Sequence, residues 1–285
     1  MSRLDIDHLR KWIGRSEARQ ERIAPFPSNA LAATLDRDDA PYVDGTALPP
    51  LWHWMHFLPV FRMSDTNYDG HAALGGFLPP VPLPRRMWAG SRLQFLAPMR
   101  IGQTLQKVSE VRSVTHKQGR TGDLVFVTVR HSLSDGETLG VQEEHDIVYR
   151  EAPKDTDPVV APPPAPDTSD FSRQITPDPV LLFRYSALTF NGHRIHYDQP
   201  FCTTTEGYDG LVVHGPLLAT LLLDLLRRNH PDATVTDFRF RAISTVFDTE
   251  PFSVHGMATD TQGEFRLWAR RADGALAMDA TARIG

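Results

Sequence analysis

YSALTFNGHRIHYDQPFCTTTEGYDGLVVHGPL, residues 185–217, is the most informative stretch of this 285-residue chain. Two polar loops, around 191–198 and 206–215, flank a short span and run into an apolar helix. That helix is expected over 210–228. Pro216 suits a first helical turn after Gly215, and Arg227 and Arg228 face the negative end of the helix dipole. Asn191 and His196 lie five residues apart across a turn, where both can face one cavity. A histidine neutral near pH 7 accepts a proton from water. An amide beside it holds that water. The Gly215 N–H opens the helix without an intrahelical partner and suits negative charge on a carbonyl oxygen.

Outward from this stretch the chain falls into two halves. Residues 4–22 read as a helix, with Leu9, Trp12 and Ile13 at helical spacing. A short helix is expected over 30–35, and 51–58 (LWHWMHFL) is dense enough for helix or strand. The Gly- and Pro-rich span 64–86 reads as an ordered loop, because it carries aliphatics and aromatics. Strands follow at 87–96, 103–115, 123–133 and 139–150, the last two joined by the SDGE turn at 134–137. The run EAPKDTDPVVAPPPAPDTSD at 151–170 marks a boundary. After 178 come a helix or strand, the stretch quoted above, and four strand-like runs. The expected organisation is an N-terminal domain at 1–152, a Pro-rich linker at 153–175 and a C-terminal domain at 176–285. Each half holds a helix and a sheet of long antiparallel strands, so the fold class is α+β.

Bulk properties remove several functions. A formal charge of −5 and no long basic run argue against general nucleic-acid binding. The longest apolar run, 216–226, contains Asp224 and is too short to span a bilayer, so no membrane partner is expected. The N-terminus lacks an apolar signal core, and cytoplasm is the expected location. The single cysteine, Cys202, reads as a small buried apolar residue.

The stretch 185–217 resembles the signature of the MaoC-like, R-specific enoyl-thioester hydratases of the hotdog fold. In that family a catalytic Asp precedes a catalytic His by five residues, and a later His-Gly opens the central helix. His196 and Gly215 match. Asn191 stands where the family has Asp, and an amide cannot take a proton. FNGHRIHYD with EGYDGLVVHGPL is similar to a narrower double-hotdog branch. That branch holds mitochondrial-type 3-hydroxyacyl-thioester dehydratases and itaconyl- and mesaconyl-coenzyme A hydratases. YDGHAALGGFLPPVPLPRRMWAGS (68–91) and EEHDIVYRE (143–151) resemble its degenerate first hotdog.

The resemblance implies a tandem double hotdog and a hydro-lyase that adds water reversibly to an enoyl thioester. An itaconyl- or mesaconyl-type substrate would give citramalyl-coenzyme A. His196 would take the proton from water and return one to the α-carbon, Asn191 would hold the water, and the Gly215 amide would hold the carbonyl oxygen. Coenzyme A enters as part of the substrate, and no resident cofactor or metal is implied. Arg85, Arg86 and Arg194 are the candidates for phosphate or substrate carboxylate. Tyr197, Asp198, Glu206 and Tyr208 are expected to fix the two loops, and His214 to pack or hydrogen-bond at the helix start.

Three other readings compete. One is a 3-hydroxyacyl-thioester dehydratase of fatty-acid metabolism. A thioesterase would need a carboxylate where Asn191 stands. A non-catalytic acyl-coenzyme A binder would keep affinity without turnover. His193 and His196 form H-x-x-H, but no third ligand is visible nearby and zinc sites need at least three. A homodimer is compatible with all of these.

Overall fold

The computed structural model describes residues 4–119, 122–152 and 161–285. Its strands are β1 (Ser16–Arg22), β2 (Arg85–Phe95), β3 (Thr104–Gly119), β4 (Gly122–Ser134), β5 (Leu139–Arg150), β6 (Phe171–Ile175), β7 (Val235–Ala242), β8 (Phe252–Ala258), β9 (Glu264–Arg270) and β10 (Leu276–Ile284). Its α-helices are α1 (Ile6–Arg10), α2 (Pro25–Thr34), α3 (Pro179–Thr189) and α4 (Gly215–Asn229).

All ten strands join one sheet in the order β1-β3-β4-β5-β2-β7-β10-β9-β8-β6. The first five positions come from the N-terminal half and the last five from the C-terminal half. The halves meet where β2 pairs antiparallel with β7, from Gly90 opposite Arg241 to Gln94 opposite Asp237. Gly90 is needed there, because a Cβ would run into the Phe240 carbonyl. Two hotdog sheets thus share a continuous hydrogen-bonded seam, as the tandem reading expects.

Helix α4 is the buried centre of the second half. Every residue from Leu217 to Leu226 is buried, including Thr220 and Asp224. Leu217, Leu221, Leu222 and Leu225 share one core with Phe238, Val254, Leu267 and Ala280 of the sheet. The first half has no helix of that length among the described residues. There the same core is completed by Leu31 and Ala32 of α2 and by Trp52 and Met55 of a 3₁₀ turn, Trp52–Met55, beneath Leu93, Leu105, Leu133 and Val141. The stretch 51–58 is therefore neither regular helix nor strand.

The helix expected over 4–22 is confined to α1. Its second part, SEARQER, is the edge strand β1, paired with β3 from Ser16 opposite Glu110 to Arg22 opposite Thr104. Its side chains alternate between exposed and half-buried, a period of two that a run with Ala18 as its one apolar residue hides from the sequence. Helix α2 begins five residues before the expected position, with Pro25 in its first turn. Of the linker placed at 153–175, residues 153–160 lie outside the described residues. Its last five residues form β6, which pairs with β8.

Candidate active site

Helix α3 delivers the first loop. It ends on Phe190 in a left-handed conformation (φ 49°), and the Asn191 N–H turns back to the Ser186 carbonyl at 2.8 Å. This closure lets an aromatic residue occupy a backbone region that glycine favours, at a cost of about 1–2 kcal/mol. Asn191 then accepts the His193 N–H through Oδ1 at 3.0 Å. The Asn191 side chain thus caps its own turn through its oxygen. Its NH₂ group has no hydrogen-bond partner among the described residues, so it remains available as a donor.

His196 sits in a 3₁₀ turn, Arg194–His196, and is 7% exposed. Its Nδ1 lies 2.7 Å from the Val212 carbonyl. A carbonyl only accepts, so Nδ1 carries the proton and Nε2 keeps the lone pair. Burial pulls the imidazole down to about 4, opposed by the Val212 hydrogen bond and reinforced by nearby His71. His196 is therefore a neutral base at pH 7. Its ring stacks on His214 at 3.6 Å between centroids, with an interplanar angle of 18°. His214 is held by Ser186 Oγ at 2.8 Å, and burial keeps it neutral too. Gly215 follows, and its N–H has no hydrogen-bond partner among the described residues. A Cβ at Gly215 would meet nothing within 4 Å, so there is open space beside this residue.

The remaining expected residues separate cleanly. Arg194 is committed within the chain: Nε and Nη2 reach Asp198 at 2.9 and 2.8 Å, Nη1 reaches the Tyr68 carbonyl, and its plane lies over Phe201. Arg85 is held by the Glu206 carbonyl at 2.6 Å and the Glu206 carboxylate at 3.2 Å, and lies over the Tyr208 ring. Neither is placed as a free substrate cation. Arg86 differs. It has no carboxylate partner among the described residues and lines a cavity of about 260 Å³ with Asp69, His71 and Tyr149. The buried Tyr149 hydroxyl lies beside the Arg86 guanidinium. Asp198 also accepts the Phe201 N–H, and Tyr197 donates to the Gly192 carbonyl, so both brace the loop. Cys202 is buried, with its thiol against the Gly210 carbonyl.

Asp69 and His71 were not among the sequence candidates. They come from the Gly- and Pro-rich loop of the first half, which docks on the second-half loop. The Arg194 N–H donates to the Asp69 carbonyl at 2.9 Å. Gly70, at φ 91°, packs directly against the Gly192 carbonyl. Asp69 Oδ2 lies 2.9 Å from His71 Nδ1, and Oδ1 accepts the His71 backbone N–H at 3.0 Å. Burial works to raise the Asp69 carboxyl, but hydrogen bonds from His71 outweigh it and hold it well below the usual range. The His71 and His193 rings are 4.0 Å apart, and His193 and His196 are 5.5 Å apart. The metal reading of H-x-x-H changes accordingly. The ligand atoms that converge within 4.8 Å belong to Asp69, His71 and His193, not to His193 and His196 alone. The D-G-H spacing in a loop otherwise poor in charge was the one signal in the sequence.

The packing of Gly70 on Gly192 gives a direct expectation. Gly70→Ala adds a Cβ that overlaps the Gly192 carbonyl at a positive φ, so both loops must shift. A displacement of about 1 Å at such a site costs on the order of a hundredfold in rate. Turnover should fall by that factor while the thermal midpoint drops only a few degrees. Unchanged turnover would show that the docking of the two loops is catalytically irrelevant.

Comparison with known proteins bears on the family and the fold. Residues 51–248 match the family model described as hydroxyacyl-thioester dehydratase type 2. The chain belongs to this family. A curated member, the mesaconyl-C(4)-CoA hydratase of Chloroflexus aurantiacus, is 46% identical over 276 residues, 96% of this chain and 97% of that protein. Solved structures agree on the fold. A MaoC-like dehydratase from Phytophthora capsici superposes with a TM-score of 0.71 at 14% identity, covering 99% of both chains. A Mycobacterium tuberculosis protein described as having a double hotdog fold gives 0.57 at 14% identity over 96% of both chains. The family's tandem double hotdog is thus the architecture of this chain. No helix among the described residues is long and apolar enough to cross a membrane.

Proposed function

We propose that this protein is a hydro-lyase that adds water reversibly to the C4 thioester of mesaconyl-coenzyme A, giving citramalyl-coenzyme A. The single observation that carries the chemistry is the fixed tautomer of His196, whose ring stacks on His214, the residue before the unpartnered Gly215 N–H. The substrate rests on the 46% identity to the Chloroflexus hydratase along nearly the whole chain.

In this reading the thioester oxygen lies on the Gly215 N–H at the positive end of α4. Water is held by the Asn191 amide and by His196 Nε2. As the new C–O bond forms at the β-carbon, the water O–H bond breaks and its proton goes to Nε2. The π electrons move toward the thioester oxygen. A proton then reaches the α-carbon on the same face. Coenzyme A is part of the substrate, and the reaction so written uses no metal or redox group. Cytoplasmic location and a homodimer belong to the same proposal, the first supported by the single buried cysteine, which forms no internal disulfide.

A mesaconyl group carries a free carboxylate on the β-carbon, which needs a cation in the acyl pocket. Arg86 with the Tyr149 hydroxyl supplies that donor pair. A charge-assisted hydrogen bond contributes about 1.5–3 kcal/mol. Arg86→Gln should therefore lower kcat/KM on mesaconyl-coenzyme A by about 10–100-fold more than on crotonyl-coenzyme A. An equal loss on both substrates would remove Arg86 as the carboxylate anchor. The family description favours a second reading, dehydration of 3-hydroxyacyl thioesters. A cavity of about 260 Å³ that sets Arg86 and Tyr149 among Leu74, Val81 and Leu83 is too small for a long acyl chain and suits a short one with an anionic end.

A further inference from the structure

We propose that Asp69, His71 and His193 form a site for one divalent transition-metal ion, zinc by preference, which pins the first-half loop to the second-half loop. The proposal is independent of the hydration reading, in which no step passes through a metal.

The donors come from both halves of the chain. Asp69 and His71 lie on the Gly- and Pro-rich loop, and His193 precedes the 3₁₀ turn Arg194–His196. One ligand atom from each lies within 4.8 Å of the other two. Asp69 Oδ2 and His71 Nδ1 stand 2.9 Å apart. Ligands bound at about 2.0–2.2 Å to one ion are separated by roughly 3–3.5 Å, so this pair already has the spacing of neighbouring ligands. An ion there takes the place of the hydrogen they share, and the His71 ring keeps its proton on Nε2 instead. Oδ1 stays with the His71 backbone N–H at 3.0 Å, which fixes the carboxylate. His193 supplies the third donor. Its ring lies 4.0 Å from that of His71. Its backbone N–H is held by Asn191, but neither ring nitrogen has a hydrogen-bond partner among the described residues. The ring is therefore free to turn by the small amount that closes the triangle. Burial disfavours the charged form of both imidazoles and leaves them as the neutral ligands a metal takes. His196 stays outside the set, with Nδ1 on the Val212 carbonyl and its ring on His214.

The site does not depend on the ion for its assembly. The Arg194 N–H on the Asp69 carbonyl and the packing of Gly70 on Gly192 bring the two loops together without it. The donor set selects the ion. Two imidazoles and one carboxylate suit zinc and its neighbours, whereas magnesium and calcium take oxygen. Three protein ligands leave a position for water. Arg86 lines the same cavity as Asp69 and His71 and opposes a second cation. One carboxylate cancels only half of the ion's charge. The affinity expected is therefore micromolar, about 1–10 μM, well short of a closed structural zinc site.

The test titrates the untagged full-length protein, stripped with EDTA and dialysed, with zinc chloride and cobalt chloride. Calorimetry should give one ion per chain. Zinc at about a hundredfold over Kd should raise the thermal midpoint by about 5 °C or more. Cobalt should give the visible band of a nitrogen- and oxygen-ligated ion. His193→Ala and Asp69→Asn should each weaken zinc binding by about a hundredfold and lose both the midpoint rise and the cobalt band. Arg86→Gln should bind zinc about tenfold more tightly. No zinc or cobalt uptake by the wild type would overturn the proposal. So would binding within threefold of wild type in His193→Ala, or uptake with no change in midpoint. The His193 ring has no internal hydrogen bond to lose, so His193→Ala decides the matter even if Asp69→Asn does not fold.

Discussion

His196→Ala is expected to lower kcat by about a thousandfold with KM little changed, the loss typical of removing a general base. The reason lies in the tautomer. Val212 takes the Nδ1 proton, so the whole basic capacity of the ring is on Nε2, and His214 fixes the plane from one face. Alanine removes the base without touching the Val213–Val246 and Val212–Ile195 backbone hydrogen bonds, which hold the loop. The pH dependence should follow. His196 must be neutral to act, and burial holds it near 4, so the acid limb of kcat should lie close to pH 4. The same shift acts on stability. A group whose folded value lies below its ordinary 6.5 stabilises the fold above that value. The contribution is lost as pH falls from 6.5 toward 4. Thermal unfolding between pH 7 and 4 checks this. A His196→Ala variant as acid-sensitive as wild type would assign the loss to other groups.

Asp224→Ala should be the most destabilising single change away from the site, costing about 3–5 kcal/mol. Asp224 lies inside α4, and its side chain is 1% exposed. It meets Arg37 at 2.5 Å, Arg173 at 3.0 Å and Arg228 at 2.7 Å. Arg37 is only 10% exposed and comes from the first half, Arg173 comes from β6 and Arg228 from the last turn of α4. One carboxylate thus joins the two halves. Arg37 keeps Asp39 as a partner at 2.6 Å, whereas Arg173 and Arg228 keep only the Leu35 and Asp36 carbonyls. Removing the carboxylate leaves three cations around an uncharged cavity, so the loss exceeds that of an exposed ion pair. Denaturant midpoints of Asp224→Ala and Asp224→Asn measure it. A change below about 1 kcal/mol would mean that the arginines find solvent instead.

Helix α4 was legible because its start, its apolar face and its basic end are all local. The long strands β3, β4 and β5 were legible through alternation and a turn. Strand β1 was not, since SEARQER offers only Ala18 as an apolar residue and is defined by backbone pairing with β3. The same division runs through the site. Asn191, His196 and Gly215 fall within one continuous stretch, and the structure sets His196 beside the start of α4. Asp69 and His71 lie more than a hundred residues upstream, in a loop whose docking depends on Gly70 meeting Gly192. Nothing local announces that contact. The three arginines show the limit differently. Their charge is visible in sequence, but only the fold reveals that Arg85 and Arg194 have internal partners and that Arg86 faces the cavity.

The most direct measurement is the loss of enoyl-thioester absorbance when the purified protein meets mesaconyl-C4-coenzyme A, with crotonyl-coenzyme A as the linear comparison. Rapid loss on the branched acid, slow loss on crotonyl and none with His196→Ala is the expected result. No loss on either substrate by the wild type, or undiminished loss by His196→Ala, would contradict a hydratase centred on His196.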